Sequence, residues 1–450
     1  MTSIHAHTLK SIRPGMALAA LFGWLLSFPM FGRLLLETAG ERSLTLGLTF
    51  VGIHATSMLI LHKYSSTDTT EITTIRVASL AIAILTVLYS LFSSHFIIGL
   101  FIIMMLGIAS AYLILHWATW FITSAQPLLN LAIAMAGANV VCAIINIPWS
   151  LPQHLSFFLL AALALGGSWV LPLSTNTIVI RGSAIRRDSV KTIRALGAFI
   201  IAIYFVGGIW YQTVAMQFSI APDWGVSIST LLYASGIIFL AWLATHGQPG
   251  NLALFSITAL GIGLLMNLTG FDGVLPMLVY YVALNFGLAA ADLFFWYVLW
   301  VLGRLYGGRR VYGIGLGFSL LLIASSVAIS STGWANSSPA LLYIMALTLL
   351  FLAVPLVFRY PFKIVDVPPN QFKEKTTESE VLAEMLTPPE ILTPQEQQIY
   401  VLLMHGATND EIATTMFISI HTVKFHVRNT LRKLDVKNRK ELLARYFVDK

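Results

Sequence analysis

The sequence predicts an all-α protein: a polytopic bundle of twelve membrane helices, followed by a small domain of four short helices with a helix-turn-helix. Hydrophobic residues make up 57% of the 450 residues and charged residues only 10%, whereas soluble domains carry about 25% charged residues. Long apolar segments recur along the first part of the chain, and capped helical patterns follow them. The predicted domains are therefore a membrane region at 1–363, a linker at 364–391 and a C-terminal domain at 392–450.

The membrane region contains segments long enough to cross a bilayer. A bilayer core of about 30 Å needs about 20 apolar residues in a helix. Twelve such segments lie near residues 14–35, 44–61, 76–93, 96–122, 128–148, 155–172, 194–215, 226–244, 252–268, 274–302, 311–331 and 340–358. We interpret the first as a span and not as a cleavable signal peptide, because no small-residue cleavage site follows it.

Basic residues mark one side of this bundle. If both termini share a side, all lysines and arginines up to residue 363 except Arg33 and Arg42 belong to that side. Cytoplasmic loops are enriched in lysine and arginine. We therefore expect a multi-pass protein with both termini in the cytoplasm, where the C-terminal domain can meet DNA.

The order of six spans, a basic loop from about Ser174 to Thr192, and six more spans resembles the major facilitator architecture. The resemblance lies in topology alone. The loop His62–Arg76 lacks the glycine–acid–arginine motif usual there in facilitators, and Gly303–Arg310 carries only a weak echo of it. That echo is equally compatible with a plain basic loop.

Ionisable side chains inside the spans are candidates for a ligand site, because their burial is costly unless they are paired or hydrated. Asp292 lies in span ten with Trp296 one turn later, and His116 and Trp120 lie in span four toward the same membrane side. An acid with aromatic neighbours predicts a site for a cation or an amphipathic small molecule of unknown identity. The alternative is an interfacial belt of tryptophans and an Asp292 that pairs with a buried polar side chain. The membrane asparagines are more typical of interhelical hydrogen bonds; these are Asn130, Asn139, Asn267 and Asn285.

No group of residues is typical of an active site. The sequence has no phosphate loop, no H-E-x-x-H and no nucleophile elbow. Cys142 is the only cysteine, so His421 and His426 have no cysteine partners for a metal. We expect a protein that is not an enzyme and that needs neither a cofactor nor a metal.

Between Asp366 and Ile391 the hydropathy falls, and prolines and acidic residues appear. We interpret this segment as a linker. It is either a flexible tether, which would keep the C-terminal domain near the bilayer, or a short helix that begins near Thr377.

Capping patterns divide the C-terminal domain into helices. Residues 393–396 and 408–411 have the sequence of capping boxes, Ser419 precedes a longer third helix that ends near Leu434, and Asn438 opens a fourth. Short helices with a three-to-four-residue turn between the second and third predict a helix-turn-helix.

The third helix has a basic face and an apolar stripe. The basic residues are Lys424, Arg428, Arg432 and Lys433, and the stripe consists of Val423, Val427, Leu431 and Leu434. This division suits a helix that packs with one face and enters the major groove of DNA with the other. By pattern alone, a membrane surface is the alternative partner.

At this point the domain resembles the LuxR-type (GerE-like) DNA-binding domain of bacterial regulators. The matching residues, at fixed spacing, are 392–396, Gly406, Asn409, 411–413, 418–419, 422–424, His426, Asn429, 433–434, Val436 and 438–439. The resemblance implies that Lys424, Phe425 and Arg428 face base edges, although Phe425 replaces the smaller aliphatic residue common there. Phosphate contacts or caps are implied for Thr408, Ser419, Thr422, Asn429, Lys433 and Arg439.

The resemblance also implies a partner and an assembly. The partner is double-stranded DNA, and Leu442, Leu443 and Tyr446 match the surface through which such domains form homodimers. Glu396, Ile412 and Val423 are expected to determine the fold rather than to contact DNA.

Three functions remain open. The first is a one-component transcription regulator of the bacterial inner membrane, which senses a small molecule through its bundle. The second is a secondary transporter with an appended regulatory DNA-binding domain; the missing loop motif argues against it, and Asp292 as a proton carrier favours it. In the third, the bundle is only an anchor or a docking site for another membrane sensor.

Overall fold

The structure is a computed structural model. It describes residues 2–30, 32–64, 68–147, 151–171, 197–209, 225–269, 274–332, 339–359, 388–389, 391–404, 407–416, 418–436, 438–439 and 441–442, and in these residues all regular structure is helical. The chain divides into two compact units, Met1–Val179 with Arg186–Gln371 and Ile180–Ile185 with Phe372–Lys450.

The first unit is a bundle of long apolar helices. In its described residues they are α1 (Thr2–Ser27), α2 (Arg33–Ala39), α3 (Ser43–Leu61), α4 (Asp68–Phe92), α5 (Phe96–Phe121), α6 (Pro127–Ile145), α7 (Gln153–Trp169), α8 (Gly197–Ile209), α9 (Gly225–His246), α10 (Asn251–Thr269), α11 (Val274–Tyr306), α12 (Gly308–Ser330) and α13 (Pro339–Arg359). Each of the twelve predicted spans overlaps one of these helices, and only the short α2 is additional. Among the described residues, 7 helical segments are long and apolar enough to cross a membrane.

The first span ends earlier than the sequence predicts. Helix α1 stops at Ser27, not near residue 35, and α2 is a separate helix. Pro29 has no N–H to continue the ladder of hydrogen bonds, and a Cβ on Gly32 would lie 2.1 Å from the carbonyl oxygen of Ser27. The chain therefore turns sharply here, at a place where glycine fits.

Small residues bring α1 close to its neighbours. A Cβ on Gly15 would lie 2.6 Å from the carbonyl oxygen of Asn130 on α6, and one on Gly167 of α7 would lie 2.7 Å from Cβ of Ala20. Membrane helices associate through such close backbone contact, because lipid supplies no hydrophobic force between them.

The predicted interhelical hydrogen bonds are present for Asn130 and Asn285, whereas the hydrogen bond of Asn139 stays within its own helix. Asn130 accepts a hydrogen bond from the backbone N–H of Gly15 at 2.7 Å and donates to the carbonyl of Ser11 at 2.9 Å, so it joins α6 to α1. Asn285 of α11 accepts from the Ser229 hydroxyl of α9 at 3.1 Å. Asn139 donates to a carbonyl of its own helix, and the side chain of Asn267 lies outside the described residues.

Two groups of helices, α1–α7 and α8–α13, face each other across the bundle. Helix α6 packs against α9, and α3 packs against α12. The second contact is close, since a Cβ on Gly317 would lie 2.8 Å from Cγ of Leu59. The predicted six-plus-six arrangement is therefore present, with space left between the two groups.

The second unit contains the predicted helix-turn-helix. Its described helices are α14 (Pro394–Met404), α15 (Asn409–Met416) and α16 (Ile420–Lys433). They enclose a hydrophobic core of their own, formed by Leu392, Ile399, Tyr400, Leu403, Ile412, Ala413, Val423, Val436 and Leu442. Asn438 accepts a hydrogen bond from the backbone N–H of Glu441 at 2.9 Å, which is the expected cap of a fourth helix.

Both predicted capping boxes are confirmed. The carboxylate of Glu396 accepts from the backbone N–H of Thr393 at 2.9 Å, and that of Glu411 accepts from the backbone N–H of Thr408 at 2.6 Å. In return each threonine hydroxyl accepts from the backbone N–H of its glutamate. These bonds satisfy N–H groups that have no partner inside a helix.

Candidate functional site

One face of α16 is available for a large polar partner. Lys424, Phe425 and Arg428 are all exposed, whereas Val423 and Thr430 are buried on the opposite face. Phe425 is 53% exposed, so its ring is accessible to a partner. The Arg428 guanidinium lies 6.0 Å from the centre of the Phe425 ring, close enough for a cation–π contact. The structure thus brings together the three residues that the sequence assigns to base edges.

Ser419 and Thr422 fix the start of α16. The Ser419 hydroxyl accepts from the backbone N–H of Thr422 at 3.1 Å and lies 2.8 Å from the Thr422 hydroxyl. Ser419 is therefore the predicted N-cap, and it leaves the first turn of α16 pointing away from the core. A helix N-terminus attracts anions, including phosphate.

Lys433 forms an ion pair inside the domain, a role that the sequence did not assign to it. Its ammonium donates to the Glu396 carboxylate at 2.7 Å, and this pair ties the end of α16 to the start of α14. The Glu396 side chain is only 6% exposed. The hydrogen bond from Lys433 is the main reason why the pKa of Glu396 is lowered from 4.5 to about 2. Glu396 determines the fold, as expected, and so do the fully buried Ile412 and Val423.

The other residues predicted to contact phosphate or to cap a helix are Thr408, Arg439 and Asn429. Thr408 belongs to a capping box, and the hydrogen bond from its backbone N–H lowers the pKa of Glu411. The Arg439 guanidinium donates a hydrogen bond to the carbonyl of Ala407. Asn429 is partly buried on α16. The bonds of Thr408 and Arg439 stabilise the turn before α15 and connect it to the segment that follows α16.

The predicted dimer surface needs a correction at Leu442. This side chain is 0% exposed and belongs to the hydrophobic core of the domain, so it is not available to a second copy. Its spacing suits an amphipathic helix, but the sequence does not say which side the core occupies. Leu443 and Tyr446 lie outside the described residues.

A cavity of about 290 Å³ lies between the two groups of helices in the membrane bundle. Most of the lining is apolar. The lining residues are Phe22, Leu25, Leu26, Met30, His54, Met58, Ile114, Met135, Asn139, Ile203, Tyr204, Gly207, Ser229, Thr230, Tyr233, Asn285, Leu288, Asp292, Trp296, Leu316, Ser319, Leu320 and Ile323. Eight helices contribute, four from each group, and α11 places Asn285, Leu288, Asp292 and Trp296 along one face.

Asp292 is the one acidic side chain among the described residues that line the cavity. Its Oδ1 accepts from the Tyr204 hydroxyl of α8 at 2.6 Å, and its Oδ2 accepts from the Tyr233 hydroxyl of α9 at 2.7 Å. The aspartate is therefore both paired with polar side chains and part of the cavity wall. Sequence reasoning missed the two tyrosines, because their helices are distant along the chain and no spacing pattern connects them to Asp292.

Trp296 forms one end of the cavity together with other aromatic rings. Its ring centre lies 5.2 Å from Phe22, 5.9 Å from Trp117 and 5.7 Å from Tyr312. Trp117 donates to the carbonyl of Pro14 at 2.8 Å, and Tyr312 donates to that of Trp296 at 3.0 Å. This aromatic cluster joins α1 and α5 to α11 and α12, across the two groups of helices.

His116 and Trp120 do not line the cavity. They are one turn apart on α5, and the neighbouring face, which carries Trp117 and Phe121, is the one that meets Trp296 and Tyr312. The sequence located the correct helix but not its orientation, because α5 is apolar on every side.

The segment Gly303–Arg310 packs against helices of the first group. Gly307, with a φ of +91°, makes a tight turn between α11 and α12. Arg309 donates to the carbonyl of Leu61 at 3.4 Å, and a Cβ on Gly308 would lie 2.5 Å from the carbonyl oxygen of Ala118. The buried Arg304 lies over the ring of Trp300 at 5.2 Å. The segment is thus a packed connection between the two groups of helices and more than a plain basic loop.

In the part of the chain that the structure describes, no group of three or more histidine, cysteine, aspartate or glutamate side chains is placed to hold a metal ion.

Comparison with known proteins agrees with the two units. The model of the family "Bacterial regulatory proteins, luxR family" matches residues 390–446. The chain is 48% identical over 56 residues to the transcriptional regulatory protein LiaR of Bacillus subtilis, which is 12% of this chain and 26% of that protein. It is 46% identical over 60 residues to the monoamine regulon transcriptional regulator of Klebsiella aerogenes, 13% of this chain and 26% of that one. The chain thus spans about a quarter of the length of these relatives.

The bundle is similar to solved transporters in fold. The fucose:proton symporter FucP of E. coli superimposes with a TM-score of 0.52 at 14% identity, over 78% of this chain and 98% of the symporter. The human organic anion transporter MFSD10 gives a TM-score of 0.56 at 14% identity, over 77% and 99%. At such identities the likeness shows the fold alone.

These findings define the class of the protein. The chain has a bundle with the fold of the major facilitator transporters, whose helices include several long and apolar enough to cross a membrane, and a C-terminal helix-turn-helix domain that matches the luxR family of bacterial regulatory proteins. The two resemblances predicted from the sequence are both confirmed.

Proposed function

We propose that the chain is a membrane-bound one-component transcription regulator, which senses a small molecule in the cavity of its bundle. One observation carries this proposal: a LuxR-type domain with a free recognition face belongs to the same chain as a bundle whose cavity contains a partnered carboxylate. The bundle precedes the DNA-binding domain in the same chain, and we assign the sensing role to it.

The DNA contacts follow from the exposed face of α16. Arg428 suits the O6 and N7 acceptors of guanine, and Phe425 suits the methyl group of thymine. Lys424 adds a positive charge beside them. Ser419, Thr422 and Asn429 lie where contacts with the phosphate backbone would set the position of the helix. Lys433 and Arg439 support this surface from within the domain, and Thr408 does so through its capping box.

Two copies would bind a site with two halves, as helix-turn-helix dimers do. Because Leu442 belongs to the core, the dimer contact would use other faces of the C-terminal helix.

A ligand can control the chain only through its different affinities for two states of the bundle. Trp296 offers a direct link, because it belongs to the cavity wall and also to the aromatic cluster that joins the two groups of helices. A ligand that displaces Trp296 would change the packing of α11 and α12 against α5. The linker would pass this change on to the DNA-binding domain.

The distribution of basic residues supports a location in the bacterial inner membrane with both termini in the cytoplasm. Such an orientation is required if the domain is to reach DNA.

Genome-wide mapping of the DNA bound by the full-length, membrane-embedded chain tests the proposal. We expect discrete sites with two related half-sites, and their loss in an Arg428→Ala variant that is still inserted in the membrane. A wild-type chain without enriched sites would contradict a role in transcription.

The facilitator fold favours one alternative, a secondary transporter with an appended regulatory domain. Asp292 would then carry a proton during transport. Uptake into proteoliposomes that is abolished by Asp292→Asn would support this alternative, whereas binding without uptake supports the sensor.

A further inference from the structure

We propose that the cavity binds a small organic cation that has an N–H group and an apolar body; this rests on the proposed sensing function and names its ligand class. The argument combines the charge of the cavity, the hydrogen-bonding state of Asp292 and the shape of the walls.

The charge of the cavity selects against anions. Among the described residues that line it, Asp292 is the only acid, and no lysine or arginine is present. An anion would therefore face a carboxylate in a medium where unscreened charges interact strongly. The lining also contains one histidine, His54. Its Nδ1 lies 2.8 Å from the Ser110 hydroxyl and 3.2 Å from the carbonyl of Gly107.

The hydrogen bonds of Asp292 leave room for a donor. Tyr204 and Tyr233 each supply one O–H to one carboxylate oxygen, and a carboxylate can accept about four hydrogen bonds. Because both phenolic protons are already used, the two tyrosine oxygens can act only as acceptors toward a ligand. Asp292 and its two tyrosines therefore present acceptors toward the cavity, and these match an ammonium N–H and not a hydrogen-bond acceptor.

The walls accommodate the rest of the molecule. Trp296 lies one helical turn from Asp292, and Phe22 meets it edge to face at 5.2 Å. An aromatic face attracts a cation and also packs against an apolar ring. Side chains of leucine, isoleucine and methionine form most of the remaining wall. A volume of about 290 Å³ is at the small end for ligand pockets, which favours a compact molecule over a peptide or a lipid.

Three probes with the same apolar body separate charge from shape: 2-phenylethylammonium, 2-phenylethanol and phenylacetate. Their binding to the purified full-length chain in lipid nanodiscs is measured by titration calorimetry. We expect saturable binding of the ammonium ion, at least tenfold weaker binding of the alcohol, and no binding of the carboxylate. This comparison needs no variant, so it holds even if substitutions disturb folding.

Two carboxylate variants assign the effect to the cavity. Asp292→Asn keeps the shape of the side chain and removes its charge, and we expect at least a tenfold loss of affinity for the ammonium ion. Glu37→Gln is the matched control, because Glu37 is paired with Arg33 at 2.5 Å outside the cavity; its affinity should equal that of the wild type. Absence of ammonium binding, equal binding of the alcohol or carboxylate, or an affinity that survives Asp292→Asn would each overturn the proposal.

The failure of this ligand class is distinguishable from the failure of sensing. If the ammonium ion binds through Asp292 but leaves DNA occupancy unchanged, the ligand class stands and the regulatory function fails. If DNA occupancy responds to a neutral or anionic compound instead, the regulator stands and the cation is wrong.

Discussion

Arg428 is the residue on which sequence-specific DNA binding depends most. The side chain is exposed, lies over Phe425 and has no role in the core of the domain. We predict that Arg428→Ala reduces the binding of the 388–450 fragment to its preferred site by about 1–3 kcal/mol. This fragment has its own hydrophobic core, and the circular dichroism of the variant should match that of the wild-type fragment.

Arg432, also exposed on α16 but one turn further along, is the matched control for this measurement. Its replacement by alanine should weaken the binding of all sequences alike and lower the salt dependence, as expected for a phosphate contact. Equal footprints for Arg428→Ala and the wild type would remove Arg428 from the base-reading surface.

The Glu396–Lys433 pair makes a prediction about stability. The Glu396 carboxylate accepts hydrogen bonds from Lys433 and from the backbone N–H of Thr393. Because Glu396→Gln removes its charge, we expect the free energy of unfolding of the fragment to fall by about 1–3 kcal/mol. The pKa of Glu396 is about 2 in the folded domain and 4.5 without these partners. Its contribution is therefore complete above pH 4.5 and is lost as the pH falls toward 2.

Urea denaturation of both proteins between pH 7 and pH 3 checks this point. The difference in stability between the wild type and Glu396→Gln should shrink as the pH decreases. A constant difference would show that the charge of Glu396 does not stabilise the domain.

At the scale of elements, two adjacent glycines of α7 provide a matched test of helix packing. A Cβ on Gly167 would lie 2.7 Å from Cβ of Ala20, whereas one on Gly166 would meet nothing within 4 Å. Alanine is favoured over glycine inside a helix by about 1 kcal/mol. We predict that Gly166→Ala raises the melting temperature of the purified protein slightly and that Gly167→Ala lowers it, because α7 must move away from α1. The same melting temperature for both variants would contradict the close packing of these helices.

What the sequence predicts well at this scale is set by local interactions. The capping boxes at 393–396 and 408–411 lie within four residues, and the spans follow from apolar length alone. What it does not predict depends on distant segments. Tyr204 and Tyr233 reach Asp292 from two other helices, and the face of α5 that meets Trp296 cannot be chosen when the whole helix is apolar. Helix α1 ends at Ser27 because the backbone of Gly32 approaches the carbonyl of Ser27 closely. Hydropathy alone does not predict such a turn.

At the scale of the whole molecule, the account requires a fixed orientation in the membrane. We predict that green fluorescent protein fused after Lys450 is fluorescent, because it stays in the cytoplasm. Alkaline phosphatase fused after Ser94, between α4 and α5, should be active, because this loop lies on the outside. The opposite pattern would place the helix-turn-helix domain away from DNA.

The central claim is that the membrane cavity controls the binding of DNA by the same chain. The most direct measurement is the occupancy of the mapped DNA sites in cells that carry the wild type, Asp292→Asn or Glu37→Gln, at equal amounts of protein in the membrane fraction. The account predicts that Asp292→Asn changes the occupancy several-fold at all sites, whereas Glu37→Gln matches the wild type. Unchanged occupancy in the Asp292→Asn cells would contradict it.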